Sequence, residues 1–325
     1  MRTFSNSSGS RGTAGSALLT VLWLTAALSA IGLAVANNVR GETERATTNV
    51  DDVKAYFIAR GAIFRAGMRM GWGPDYYRRG DPAMDLPFPN AQVRVEIIPE
   101  NSKLGLNQIL PAELLRLLEA LGVAEDRAIE ITAAIEDWRS PVLPDKTGPF
   151  DAFYLAQTPS FLPRHSSFIE DEELLRVKGI TPELYYGGAQ ENGRLDSSRA
   201  GLRDCLSTYA NSSIVDVNTA KAETMMATGI SREDADAIIR RRNERPIQDY
   251  VELGNLVQSL GPAGGRLTLG GASMYTLRAT AQLKQPDGKL SDMRRTVAAL
   301  VKFVPPGNTQ GRLPGMQVVR WYDRT

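Results

Sequence analysis

Few residues in this chain could carry covalent or metal chemistry. Its 325 residues include one cysteine, Cys205, and one histidine, His165. A lone cysteine excludes an internal disulfide and a thiolate metal cluster. A lone histidine excludes zinc sites of the two-histidine kind. A Cys-His nucleophile could only pair Cys205 with His165, and nothing around either residue supports it. Carboxylates are plentiful, but the run Glu170 to Glu173 reads as a solvated face, and pairing it with Asp137 as an acid–base dyad would be arbitrary. There is no phosphate-binding glycine loop, no histidine-based triad and no HExxH. No segment matches the Asp-x-Asp-x-Asp-Gly calcium loop. Arg240, Arg241, Arg242 and Arg245 are a candidate nucleic-acid patch. A formal net charge of +1 argues against a strongly basic surface, and arginines on an open helix face are usually just solvated. The chain reads as non-enzymatic, with nucleic acid disfavoured as a partner.

The elements that would position these residues begin with an apolar helix. Residues 1–15 are polar and basic, with Arg2 and Arg11 and no acid. Residues 16–36 carry no charge, and a helix of that length spans roughly 30 Å, the hydrocarbon thickness of a bilayer. The positive-inside rule puts the N-terminus in the cytoplasm and everything after Ala36 outside. A cleaved secretory signal ending at Ala34-Val35-Ala36 is the alternative. Retention is favoured because Val39, Ala46, Val50, Val53, Phe57, Ala62, Ile63 and Ala66 continue at helical spacing among charges.

Gly71 to Pro89 reads as a loop, and Gln92 to Ile98 alternates as a half-buried strand. Two related helical segments follow. The first runs from Leu106-Asn107 through Glu113-Leu114-Leu115 and Gly122 to Asp137-Trp138-Arg139. The second runs from Val217-Asn218-Thr219-Ala220 through Glu223 and Gly229 to Arg242. Each reads as helix, glycine turn, helix, with the glycine supplying a left-handed conformation. Ser231 with Asp234 makes a start like a capping box. This is the helix-hairpin-helix (SAM-like) pattern, but the turns Gly122-Val-Ala124 and Gly229-Ile-Ser231 lack the second glycine that brings a phosphate close. Strands return at 275–283, 297–303 and 316–322. The fold expected is α+β: a long N-terminal helix on a small antiparallel sheet, with a helical block inserted.

A short basic leader ending at Gly15, abutting an apolar helix that becomes amphipathic, resembles a type IV pilin or pseudopilin. In that family the prepilin peptidase cuts after the glycine, which makes Ser16 the new N-terminus. The fifth mature position usually carries glutamate; here it is Thr20. That departure, with Asn107, Glu113, Asp137-Trp138-Arg139, Glu173 in Glu-Glu-Leu-Leu, Asn218 and Gly229 in order along the chain, resembles the K-type minor pseudopilins (general secretion pathway protein K family) of the type II secretion system. The resemblance implies a leader over 1–15, a transmembrane helix over 16–36, and the pseudopilin helix with a first strand over 37–103. It implies an inserted helical domain over 104–260 and C-terminal strands over 261–325. It implies a single-pass inner-membrane protein with a periplasmic domain, capping the pseudopilus tip with I- and J-type minor pseudopilins and working with the inner-membrane secretion platform. It admits calcium in the helical region, with metal ligands unassigned. The rival function is a membrane-tethered helix-hairpin-helix DNA receptor of the competence type.

Overall fold

The computed structural model describes residues 13–78, 80–143, 145–188, 200–210, 214–270, 273–304 and 315–322, with side chains from Leu18 onward. Helix α1 (Thr13–Trp72) is one unbroken element, and contacts divide the chain into units at Ala55 and Tyr56. In the first unit Leu18, Leu22, Trp23, Leu28 and Ile31 all stand exposed. This is the helix long and apolar enough to cross a membrane. Past Ala36 its surface turns polar, and Arg40–Glu44, Arg45–Glu42 and Lys54–Asp51 pair at helical spacing.

The second unit begins with the last turns of α1. Ala59, Ala62, Ile63 and Ala66 fall on one side and are fully buried. Small residues at three of these four positions let backbone approach backbone. The sheet in this unit has five antiparallel strands: β1 (Ala83–Phe88), β2 (Ala91–Pro99), β7 (Met274–Lys284), β8 (Leu290–Val304) and β9 (Gly315–Tyr322), in that order. Arg60 lies 4.2 Å over the ring of Trp321 on β9, and Phe64 packs on the same ring.

The stretch expected to be a loop, Gly71 to Pro89, contains β1. Its Gly, Pro and Asp content hides the alternation of Met84 and Leu86, which are buried. Pro87 is tolerated because β1 is an edge strand. Its carbonyl accepts a hydrogen bond from Arg65 of α1 at 2.8 Å.

β2 and β7 are direct neighbours, with Pro99 opposite Tyr275, so everything between them is an insertion whose two ends meet. The insertion carries β3 (Leu104–Gly105), α2 (Pro111–Ala120), α3 (Glu125–Arg139), α4 (Asp151–Leu155), α5 (Pro182–Tyr186) and α6 (Leu202–Cys205). It continues with β4 (Leu206–Ser207), β5 (Val215–Asp216), α7 (Ala222–Ala227), α8 (Arg232–Glu244), α9 (Tyr250–Ser259) and β6 (Leu267–Thr268). It thus extends past the expected end at 260. β6 pairs in parallel with β5, and Leu267 and Leu269 belong to the helical core. Glu100, just beyond β2, fastens the insertion to the sheet. It is buried and accepts hydrogen bonds from Ser207 at 2.6 Å and Thr276 at 2.5 Å. An ion pair between Arg320 of β9 and Glu170 adds a second tie.

Cys205 closes α6 inside that core. It is fully buried, and burial pushes its thiol up to about 12 despite a hydrogen bond with Thr224. A thiol reagent at pH 8 is therefore expected to leave Cys205 unmodified in the folded chain and to react with one equivalent after denaturation. Rapid modification of the native protein would show that the α6 region opens.

Candidate functional site

The site of interest is a surface. In the second unit, Phe57, Phe64 and Met68 of α1 are 62%, 48% and 51% exposed. At about 100° per residue they share one side of the helix, roughly opposite Ala59, Ala62, Ile63 and Ala66. Gly61 lies on the exposed side and has open space above it. A soluble helix needs one apolar side to face its own core. This one has two, and the second faces outward. Burying what remains exposed of each would contribute roughly half of the about 1.5–3 kcal/mol of a full transfer, so an apolar cover on this surface would be favourable.

The inserted domain is built from two repeats held by matching polar clasps. In the first, the Asn107 amide donates to Phe168 O at 3.0 Å and accepts from Phe168 N–H at 2.8 Å. In the second, the Asn218 amide donates to Ile247 O at 2.7 Å and accepts from Ile247 N–H at 2.9 Å. An asparagine side chain thus stands in for a strand neighbour and satisfies a returning loop. An arginine stands in the last turn of the second helix of each repeat. Arg139 donates to the carbonyls of Leu106 and Ile109 at 2.7 and 2.6 Å. Arg242 donates to those of Val217 and Ala220, both at 2.8 Å. In both cases the acceptors are the residue before the asparagine and the residue two after it. The turn glycines Gly122 and Gly229 have φ of 86° and 102°, the left-handed region expected of them. α2 packs on α7, and Arg116 of the first repeat donates to Ala227 O of the second.

The remaining motif residues are also placed by this scaffold. Glu113 is buried, accepts from the Leu110 N–H that precedes its own helix, and pairs with Arg266. Trp138 stacks on Phe168 with planes 9° apart, and its indole N–H reaches Glu173 at 3.4 Å. Glu173 also accepts from the N–H groups of Ile169 and Glu170. Ser231 accepts from Asp234 N–H, as the start of α8 required. Gly15, Ser16 and Thr20 lie within α1, while residues 1–12 of the expected leader fall outside the described residues.

Three of the four arginines and the histidine are engaged within the fold. Of the four arginines, Arg242 is turned inward; burial lowers its pKa and Asp216 opposes the shift. Arg241 and Arg245 both pair with Glu252. His165 is engaged on both nitrogens, by Asp151 at 2.8 Å and by Asp137 O at 3.0 Å. Burial pulls its pKa down, but these bonds outweigh burial and the net shift is upward. Burial raises Asp137, with His165 and the Phe150 amide opposing. Sequence reasoning missed this cluster and Glu100. The three side chains of the cluster come from separate stretches, and Glu100 shows no motif.

A long helix laid on an antiparallel sheet, with a double helix-hairpin-helix domain inserted between neighbouring strands, defines a pseudopilin fold with a large insertion. Residues 101–187 match a family model described as Type II secretion system (T2SS), protein K. Two curated relatives carry the name Type II secretion system protein K. The one from Klebsiella pneumoniae is 38% identical over 80 residues, 23% of this chain and 24% of that protein. The one from Aeromonas hydrophila is 27% identical over 141 residues, 42% of this chain and 39% of that protein. The match thus spans about a quarter and about two-fifths of these relatives. A chain of the crystal structure of the GspK-GspI-GspJ complex from the enterotoxigenic Escherichia coli type 2 secretion system has the same fold. Its TM-score is 0.56 over 86% of this chain and 99% of that one, at 14% identity. Domain, relatives and fold agree on type II secretion system protein K as the family this chain resembles.

The clasps make a stability prediction. Asn218→Ala removes two hydrogen bonds and strands the Ile247 N–H and C=O in a buried site. It should cost about 1–3 kcal/mol in urea unfolding of the full chain. Replacing exposed Arg240 by Ala should cost less than about 0.5 kcal/mol. Equal effects would mean that the clasp does not hold the repeat.

Proposed function

We propose that this chain is a minor pseudopilin of the type II secretion system, without catalytic activity. It is anchored in the inner membrane by the apolar part of α1, with its N-terminus cytoplasmic and its folded domain periplasmic. The observation that carries this reading is the outward apolar side of α1 at Phe57, Phe64 and Met68, on a chain that carries a protein K domain. The fitting occupants are apolar helices of other pseudopilins, with I- and J-type minor subunits as partners. The GspK-GspI-GspJ complex, one chain of which shares this fold, supports that choice.

In this reading the prepilin peptidase cuts between Gly15 and Ser16. Thr20 then offers no carboxylate to neutralise the charged N-terminus of a subunit above, which suits a subunit that caps the tip. The bulk of the insertion works in the same direction, since it would hinder another subunit from stacking on top. The tip would support export of folded proteins across the outer membrane, together with the inner-membrane platform.

Phe57→Asp with Phe64→Asp is expected to abolish co-purification with I- and J-type partners and to block secretion, because each charge would have to be desolvated in the interface. Phe57→Asp alone, at the more exposed position, should weaken co-purification with circular dichroism unchanged, which separates loss of the surface from loss of the Phe64–Trp321 contact. Intact co-purification of the double variant would sink the assigned surface. N-terminal sequencing of the membrane-extracted chain should begin at Ser16. Asn37 would indicate secretion, and Met1 a plain anchor.

A further inference from the structure

We propose that Asp137, Asp151 and His165 form a binding site for a first-row divalent transition metal such as Zn²⁺, which ties together the end of α3, the start of α4 and the loop that follows. The site lies within the inserted domain and does not depend on the assembly role proposed above.

One potential ligand atom from each residue lies within 4.8 Å of the others. The site is well enclosed: the side chains of Asp137, Asp151 and His165 are 5%, 9% and 15% exposed. The tautomer follows from hydrogen bonding. Nδ1 sits 3.0 Å from the Asp137 carbonyl, which can only accept, so Nδ1 carries the hydrogen. Nε2 donates to Asp151 while the ring is protonated, and a metal would take its place by displacing that one proton. Fixing one ring N–H on a backbone carbonyl is the usual way a metal-binding histidine is oriented. Nε2 lies 2.8 Å from Asp151 Oδ1. Two donors each about 2.0–2.2 Å from a shared metal stand roughly 3 Å apart. The second Asp151 oxygen is fixed by the Gly148 N–H at 2.7 Å.

An independent observation points to a missing ligand. Asp137 Oδ2 is buried and has no hydrogen-bond partner. Two enclosed carboxylates facing one imidazole carry a net charge of −1 if the ring is protonated. A divalent ion bound with a neutral ring brings the group to zero, which removes the cost of a buried uncompensated charge. Gly148 permits the close approach. A Cβ there would come within 2.5 Å of His165 Cε1 and 2.7 Å of Asp137 Oδ1. The donor set of one imidazole and two carboxylates suits zinc and neighbouring first-row metals. Calcium takes six to eight oxygens and gains nothing from an imidazole.

The alternative way to neutralise the group is a proton on Asp137, and experiment separates the two. The full chain in detergent, free of any histidine tag and stripped with EDTA, is titrated with Zn²⁺ near pH 7.5. One equivalent is expected to bind and to raise the Tm, with no such rise from the same concentration of Ca²⁺. Co²⁺ should give d–d absorption without thiolate charge transfer. The ring signals of His165, the only histidine in the chain, should shift in NMR on Zn²⁺ binding. Asp151→Asn and His165→Gln should each weaken Zn²⁺ binding by at least about tenfold. Failure of the parent chain to bind one equivalent overturns the proposal, whatever the variants do. An Asp137→Asn chain that is as stable as the metal-free parent and still binds Zn²⁺ as tightly also overturns it.

Discussion

The inserted domain depends on one constraint: backbone groups that are buried must be paired. Its repeats are helical, but the loops that close them pass through the core without a sheet to join. Asn107 and Asn218 solve this by presenting an amide with the donor and acceptor of a strand residue. Arg139 and Arg242 cover the carbonyls on either side of each asparagine. The same solution used twice, at matching positions, is what makes the two halves one architecture. It also explains why the second arginine is not available to a phosphate.

α1 resolves a different conflict. It is apolar and exposed at its start, long enough there to cross a membrane, and packs on a protein sheet at its end. Over the sheet it uses alanines, which bury little area but allow close packing; on the opposite side it carries phenylalanine and methionine. The small residues thus serve the fold, and the large ones stay on the outward side. Trp321, held between Arg60 and Phe64, marks the border between those two sides.

Glu100 and the Asp137–Asp151–His165 group show how the insertion is kept in place. Glu100 takes two hydroxyl hydrogen bonds at the seam where the insertion leaves the sheet. The acid–histidine group gathers segments that no regular element joins. Both put charge where a small domain can least leave it unmatched, and in both the charge connects parts of the chain far apart in sequence.

The sequence by itself determined whatever depends on local periodicity. The uncharged stretch 16–36, the helix continuing beyond it, the alternating strands and the two glycine turns could all be read directly, because each is written in residues close together. The ordered motifs likewise pointed to the protein K family. Only the tertiary structure decided what depends on distant pairing. β1 was hidden by Pro87 and the prolines that flank it until β2 supplied its partner. The insertion runs past 260 because β6 pairs with β5, a contact about fifty residues long in sequence. The direction of Arg242, the outward side of α1 and the meeting of Asp137, Asp151 and His165 were equally invisible. A side chain's role there is set by which neighbours the fold brings to it, and no spacing along the chain records that.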